Sequence, residues 1–203
     1  MVRARRLEPA AEEEAAREAA RDAALVDRLK QGDGKALDEL FRRHRDAAYG
    51  VAFRLVGNRE DALDVVQEAF VHVLRGIQTF RGQAAFRTWL YRIVTHAALD
   101  YRRWRALRTT ESLDAEAASE PAATGPSQRT PQEEAAERDL RQAIDGALAN
   151  ISEKNRAALV LFALEGMSYK EVADVLGISV GTVMSRIFNA RQRLRELLAS
   201  EIG

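Results

Sequence analysis

The chain has 203 residues, 46% of them hydrophobic, and its 31 lysines and arginines balance 31 aspartates and glutamates for a formal net charge of zero. It contains no cysteine, which excludes disulfides, cysteine-ligated zinc sites and thiol catalysis. Because the longest apolar run covers only residues 157–164 and the first residues lack the apolar stretch of a signal peptide, we expect a soluble cytoplasmic protein without membrane insertion.

The charges are distributed unevenly along the chain. Residues 75–108 carry eight arginines and one acid, and residues 179–198 carry four arginines and one acid. Residues 8–22 carry six acids and two arginines, and residues 109–140 carry eight acids and two arginines. Because local charge decides whether a polyanion binds, the two basic segments keep nucleic-acid binding open despite the net charge of zero.

The first 24 residues form an acidic, alanine-rich extension. Their composition favours helix but gives no apolar face, so we expect a frayed or disordered segment. Helical patterning begins at Leu25 and stops at Gly32-Asp33-Gly34. No strand precedes these glycines, so they indicate a turn between helices and not a phosphate-binding loop.

Two amphipathic helices are predicted next, over residues 35–56 and 59–76. Apolar residues recur at helical spacing in both, including Phe41 in the first and Leu74 in the second. The opposite face of the second helix is a polar stripe of Asp61, Asp64, Gln67, Glu68, His72 and Arg75. From the residues alone, we interpret this stripe as a solvated surface.

A polar loop over residues 79–84 and a long basic helix over 84–106 follow. In this part of the chain aromatic rings alternate with arginines, and acids are nearly absent. Aromatic rings stack on unpaired bases and guanidinium groups follow the nucleic-acid backbone, so the pattern favours single-stranded nucleic acid. Taken singly, Trp89 and Tyr101 are equally well explained as core aromatics.

Helical periodicity is lost between residues 107 and 131, where prolines and a glycine lie among alanine, serine, threonine and glutamate. This composition is typical of a flexible linker, which we place at residues 108–134. We predict that the linker joins two small helical bundles, because no strand pattern occurs anywhere and the fold class is therefore all-α.

The C-terminal bundle contains a predicted helix-turn-helix over residues 168–187. Ser168 and Glu171 form a capping box for its first helix, and Gly177 suits a turn that requires positive φ. Ser179 caps the second helix. Together with apolar positions such as Val172 and Ile187, these residues are typical of a helix-turn-helix. Ser152 is expected to cap the helix that precedes this motif. Leu164 is expected to be one of the core residues of that helix.

The second helix of this motif has a polar face suited to duplex DNA. Arginines suit phosphates, whereas small polar or flat groups suit base edges. The predicted duplex-binding residues are Thr182, Ser185, Arg186, Phe188, Asn189, Arg191, Gln192 and Arg193. The alternative is a solvated basic face with one stray aromatic side chain, Phe188.

Several motifs in order along the chain resemble one family. They are Asp64-Val65-Val66-Gln67-Glu68-Ala69-Phe70, Phe80-Arg81-Gly82, Phe86-Arg87-Thr88-Trp89-Leu90-Tyr91-Arg92-Ile93 and Gly181-Thr182-Val183-Met184-Ser185-Arg186-Ile187-Phe188. They resemble bacterial sigma factors of the extracytoplasmic-function group, which have only regions 2 and 4. By this resemblance, residues 25–107 correspond to region 2 and residues 135–203 to region 4.

The resemblance implies three binding surfaces. Core RNA polymerase would bind Asp61, Asp64, Gln67 and Glu68 through a coiled coil of its largest subunit. The melted minus-ten element of promoter DNA would bind Phe80, Arg81, Gln83, Trp89, Arg92 and His96. The helix over 180–195 would bind the minus-thirty-five duplex, and an anti-sigma factor would cover the polymerase-binding faces. The sequence departs from the family pattern at Met184, Asn189 and His96, where we expect its own base preferences.

Two other functions remain open from the residues. A free-standing helix-turn-helix regulator would need a dimerising element, and none is evident. A helical adaptor that binds polymerase alone would leave the arginines around Phe188 unexplained. An enzyme is not expected, because no nucleophile-base set, carboxylate pair or metal cluster appears, and we expect neither a cofactor nor a metal.

Overall fold

The computed structural model describes residues 9–109 and 143–202. All secondary structure in these ranges is helical, which confirms the all-α prediction. The N-terminal bundle consists of α1 (Pro9–Lys30), α2 (Gly34–Val56), α3 (Arg59–Gly76), a 3₁₀ turn (Ile77–Thr79) and α4 (Phe86–Thr109). Apart from Arg108 and Thr109, the predicted linker lies outside the described residues.

Helix α1 begins at Pro9, within the segment for which fraying up to residue 24 was predicted. Proline is favoured at a first helical position, and alanine and glutamate favour continuation. The described side chains before Asp22 are exposed. Asp22 itself is buried, and its carboxylate accepts hydrogen bonds from Arg43 Nε at 3.0 Å and lies 2.8 Å from His44 Nε2. These two contacts with α2 fix the position of α1. They do so at Asp22, about one helical turn before the first buried apolar residue of α1, Leu25.

The core of the N-terminal bundle lies between α2, α3 and α4. The predicted helices over 35–56 and 59–76 agree with α2 and α3 to within one residue. Two predicted core positions are wrong: Phe41 is 37% exposed and Leu74 is 51% exposed. Tyr91 of α4 is buried instead, because it faces the second bundle.

The C-terminal bundle consists of α5 (residues 143–149), α6 (Glu153–Leu159), a π-helical turn (Val160–Leu164), α7 (Tyr169–Leu176) and α8 (Val180–Ile202). The predicted capping box of Ser168 and Glu171 is confirmed, and Gly177 adopts φ +64° between α7 and α8. Ser179 Oγ accepts the Thr182 N–H at 3.2 Å. Ser152 makes no side-chain cap, and Leu164 is exposed, so these two predictions are wrong.

The two bundles are in contact along α4 and the end of α2. Arg156 of α6 is buried, and its guanidinium donates to the carbonyl oxygens of Leu55, Ala149 and Ile151. Arg102 of α4 pairs with Glu153 at 2.7 Å. A buried guanidinium shared between main-chain acceptors of both bundles fixes their relative position, since leaving it unpaired would be costly.

Candidate nucleic-acid interface

A loop between the 3₁₀ turn and α4 forms one wall of a cavity of about 410 Å³. We call this cavity the loop pocket; its lining includes Phe80, Arg81, Gln83, Trp89 and Arg92. The Phe80 ring packs against Trp89 with 4.9 Å between centroids. The structure therefore brings together five of the six residues predicted to bind the melted minus-ten element.

The loop is tied to the end of α1. Lys30 Nζ donates to the Phe80 carbonyl oxygen at 2.7 Å, and Gln78 Nε2 donates to the Lys30 carbonyl oxygen at 2.9 Å. This pair of bonds fixes the point at which the loop leaves the 3₁₀ turn. Sequence analysis missed Lys30, because a lysine at a helix end gives no local signal of a bond that spans 50 residues.

A second cavity, of about 700 Å³, lies between α3 and α4. We call it the α3–α4 groove; Glu68 and His72 line it from α3, and Trp89, His96, Tyr101 and Trp104 line it from α4. Trp89 thus borders both cavities. The Trp89 ring packs over Gly76, where a Cβ atom would lie 3.4 Å from the ring, in ordinary van der Waals contact. His96, the sixth predicted minus-ten residue, lies in this groove and not in the loop pocket.

The polar stripe of α3 is divided by the structure. Asp64, Gln67 and Glu68 are exposed. Asp61 is half-buried, and its carboxylate accepts hydrogen bonds from the Asn58 and Arg105 side chains. Three exposed apolar side chains accompany the stripe: Leu63 at 50%, Val71 at 39% and Leu74 at 51%. Apolar exposure beside acidic groups is typical of a protein-binding surface.

Helix α8 exposes most of the residues predicted to bind duplex DNA. Thr182, Ser185, Asn189, Gln192 and Arg193 are exposed, and Phe188 is 68% exposed. Arg186 is half-buried. Arg191 is also half-buried, and its guanidinium lies 5.2 Å from the centre of the Phe162 ring. Met184, one of the positions expected to depart from the family pattern, is 52% exposed on the same helix.

Contacts between the bundles reach the edge of the loop pocket. Arg92 donates to the Asp174 carbonyl oxygen at 2.6 Å, and Asp174 of α7 lines the pocket. Nearby, the Tyr91 hydroxyl bonds to the Glu165 carboxylate, and Arg87 donates to the Glu165 carbonyl oxygen at 3.2 Å. Burial, together with the Glu165 charge, raises the pKa of Tyr91 far above its usual value.

Within residues 9–109 and 143–202, no cluster of three or more histidines, aspartates or glutamates could hold a metal ion. In the same ranges, no helix combines the length and apolar character needed to cross a membrane. The two cavities described above are lined by aromatic rings, guanidiniums and carboxylates.

Comparison with known proteins gives the same family in both halves of the chain. The family described as Sigma-70 region 2 matches residues 40–109, and Sigma-70, region 4 matches residues 141–194. The ECF RNA polymerase sigma-E factor of Haemophilus influenzae is 40% identical over 177 residues, covering 85% of this chain and 93% of that protein. The sigma-E factor of Escherichia coli K12 is 36% identical over 176 residues, covering 85% and 92%.

Two solved structures resemble the whole arrangement. CnrH, in complex with the cytosolic domain of CnrY, matches with a TM-score of 0.64 and 30% identity over 89% of this chain and 98% of that one. The sigma factor RpoE, in complex with the anti-sigma factor NepR from Bartonella quintana, matches with a TM-score of 0.66 and 24% identity over 81% and 98%. The second similarity supports the fold alone.

Proposed function

The chain belongs to the extracytoplasmic-function sigma factors, and we propose which of its surfaces binds each partner. As a member of this family it binds core RNA polymerase and directs promoter-specific initiation of transcription. We assign polymerase binding to α3, capture of melted minus-ten bases to the loop pocket, and binding of the minus-thirty-five duplex to α8.

The loop pocket is the observation that carries this proposal. It combines the rings of Phe80 and Trp89 with the guanidiniums of Arg81 and Arg92 in one cavity. An unpaired base can stack on the rings while arginines neutralise the phosphates beside it. The amide of Gln83 supplies a donor and an acceptor for a base edge. Extracting a base from the duplex costs a few kcal/mol, about what stacking and hydrogen bonding can return.

The polymerase-binding surface is assigned to Asp64, Gln67 and Glu68 with their apolar neighbours Leu63, Val71 and Leu74. The exposed carboxylates suit basic side chains on a partner helix, and the exposed apolar groups supply the burial that stabilises a complex. Asp61 supports this surface from behind, since its carboxylate is already bonded to Asn58 and Arg105.

We assign the upstream promoter element to Thr182, Ser185, Phe188, Asn189, Gln192 and Arg193 on the exposed face of α8. Arg186 and Arg191 lie at the edge of this face and are assigned to phosphates. Binding in this mode depends on salt, because each phosphate contact releases counterions.

We further propose that an anti-sigma factor binds this chain, as CnrH is bound by the cytosolic domain of CnrY. The exposed apolar side chains of α3 are suited to such a partner. The protein itself acts in the cytoplasm by differential binding and performs no chemistry, because bond formation belongs to the polymerase.

The deciding experiment is run-off transcription with purified core polymerase and promoter fragments. The proposal expects start sites that depend on both the chain and core polymerase. A free-standing helix-turn-helix regulator would instead bind duplex promoter DNA tightly in the absence of polymerase. If the chain neither binds core polymerase nor directs start sites, the assignment is wrong.

A further inference from the structure

The π-helical turn of the C-terminal bundle places an aromatic ring beside the start of α7. The Glu165 N–H closes this turn by donating to the Val160 carbonyl oxygen, five residues earlier, at 3.2 Å. Phe162, at the middle of the turn, is half-buried, and its ring stacks on that of Tyr169 with 4.6 Å between centroids and 7° between planes. Turns of this kind are rare and occur frequently at functional sites, so the ring is a candidate for a role beyond packing.

The Phe162 ring makes a second contact, with an arginine at the edge of the DNA-binding face. The half-buried Arg191 guanidinium lies 5.2 Å from the ring centre, within the range of a cation–π interaction. Stacking on a ring uses the flat face of a guanidinium and leaves the N–H groups in its plane available to an acceptor. Arg193 of the same helix is held differently, by an ion pair with Glu196 at 3.3 Å. Arg191 is therefore ordered by a contact that leaves its donors available.

The capped start of α7 holds the ring pair in place. Tyr169 is the first residue of α7 and directly follows Ser168, whose hydroxyl accepts the Glu171 N–H at 3.2 Å in the capping box. The π-helical turn, α7 and α8 thus meet at one guanidinium, that of Arg191. An arginine that is already ordered loses less side-chain freedom when it binds a phosphate than an unrestrained one does, and it therefore binds more tightly.

We propose that Phe162 and Tyr169 are positioning residues that hold Arg191 ready to contact a phosphate of the upstream promoter duplex. This inference rests on the proposed function of α8 and adds to it two residues from outside that helix. The phosphate oxygens accept hydrogen bonds from the edge of the guanidinium while its face remains on the Phe162 ring. Because the ring pair acts through Arg191, its effect on promoter affinity disappears when Arg191 is removed.

The test uses holoenzyme assembled from core polymerase and the full chain. Its probe is a duplex promoter fragment that contains the upstream element, and the affinity is measured over a series of salt concentrations. Phe162→Leu removes the ring but keeps an apolar side chain, whereas Phe162→Tyr keeps a ring. Both changes are made in the wild-type chain and in Arg191→Ala. Arg193→Ala is the matched control background, because it removes an arginine of the same helix that is paired with Glu196 instead.

We expect Arg191→Ala to lower the slope of log affinity against log salt by about 0.9, the counterion release of one phosphate contact. Phe162→Leu should weaken binding about two- to fivefold, the strength of a cation–π contact at a partly exposed site, and lower the slope in the same direction. Phe162→Tyr should bind like wild type. Phe162→Leu should add nothing in Arg191→Ala but should keep its full effect in Arg193→Ala. Tyr169→Leu, which removes the other ring, should show the same dependence on Arg191.

An equal loss of affinity in the wild-type and Arg191→Ala backgrounds, at an unchanged salt slope, would make Phe162 a packing residue and overturn the inference. An unchanged slope in Arg191→Ala would also overturn it, since Arg191 would then contact no phosphate. Failure of wild-type holoenzyme to prefer the upstream element over unrelated duplex would instead disprove the proposed function of α8. Thermal unfolding of each variant establishes that it is folded.

Discussion

Tyr101 of α4 lies beside the Asp61 carboxylate of α3, and its ring centre is 5.8 Å from that of Trp104. Burial and the hydrogen bond to Asp61 raise its pKa to about 12. The neutral phenol is therefore the form that the fold favours. The raised pKa of Tyr101 adds to the free energy of unfolding. This contribution is fully present below pH 10, the usual pKa of tyrosine, and is lost as the pH rises through about 12.

Replacing Asp61 with asparagine should lower the pKa of Tyr101 towards 10, because the charged acceptor that favours the neutral phenol is removed. Near-ultraviolet absorbance of the phenolate during alkaline titration measures the shift. Tyr101→Phe identifies the titration step that belongs to this residue. An unchanged step in Asp61→Asn would show that burial alone raises the pKa.

Phe188 is the aromatic residue of α8, and its side chain is 68% exposed. Its replacement by alanine should change the free energy of unfolding by less than about 0.5 kcal/mol, as expected for a surface side chain. The preference for one base pair of the upstream element should fall by about 1–3 kcal/mol. Competition binding of holoenzyme to single-base variants of that element measures this preference.

The control for Phe188→Ala is Leu164→Ala, which removes an apolar side chain that is 47% exposed in the π-helical turn outside α8. It should leave base preference unchanged. If wild type and Phe188→Ala showed the same preferences among the promoter variants, the ring would be assigned to packing against another protein.

At the scale of elements, α1 reaches the promoter-binding loop through one lysine. Lys30→Met keeps the length of the side chain but removes the donor to Phe80, a hydrogen bond from a charged group that contributes about 1.5–3 kcal/mol. The loop amides over residues 80–85 should exchange hydrogen faster, and open-promoter complexes should become less stable. Mass-spectrometric hydrogen exchange and complex lifetimes measure the two effects.

Two further variants separate positioning from a contact with DNA. Lys30→Arg retains a donor and should restore most of the complex lifetime, whereas Lys35→Met removes an exposed lysine of α2 and should have no effect. If Lys30→Met instead lowered the salt dependence of promoter binding by about one unit, Lys30 would contact a phosphate and not the loop.

Helices α2 and α3 were predictable almost to the residue, because apolar periodicity and stop signals such as Gly57 are local. The turn at Gly177 was predictable for the same reason. The docking of α1 was not, since it depends on Asp22 meeting Arg43 and His44 from another helix. Exposure of Phe41 and Leu74 also escaped prediction, because periodicity identifies an apolar face but not how far its neighbours cover it.

Sequence analysis predicted which residues belong to the binding surfaces better than it predicted where those residues lie in the fold. The sequence motifs grouped His96 with Phe80 and Arg81, whereas the structure places it in the neighbouring groove. Trp104 belongs to the pattern of alternating aromatic rings and arginines, but residue spacing does not show that its ring is half-exposed beside Tyr101 and Arg108. Such information is held in the three-dimensional packing and not in residue spacing.

At the scale of the whole molecule, Glu165 joins the bundles through the Tyr91 hydroxyl. Glu165→Ala leaves that buried hydroxyl without its acceptor, at a cost of about 1–3 kcal/mol. We expect looser packing of the bundles and a radius of gyration above the value of about 17 Å typical of a compact chain of this length. Small-angle X-ray scattering of the free protein measures the radius of gyration.

The control is Glu165→Gln, which keeps an acceptor and should scatter like wild type. Identical scattering from Glu165→Ala would show that the remaining contacts, including those of Arg156 and Arg102, are enough to hold the bundles together.

The bond from Arg92 to the Asp174 carbonyl oxygen connects the second bundle to the loop pocket. The N–H that donates to Asp174 cannot donate to a DNA phosphate at the same time, so a phosphate bound by that N–H displaces this contact between the bundles. If promoter binding displaces this contact, thermodynamic linkage requires that any change strengthening the contact weaken promoter affinity by the same factor. Because the acceptor belongs to the main chain, substitutions at position 174 preserve the bond. Position 92 therefore contributes both to the lining of the loop pocket and to the contact between the bundles.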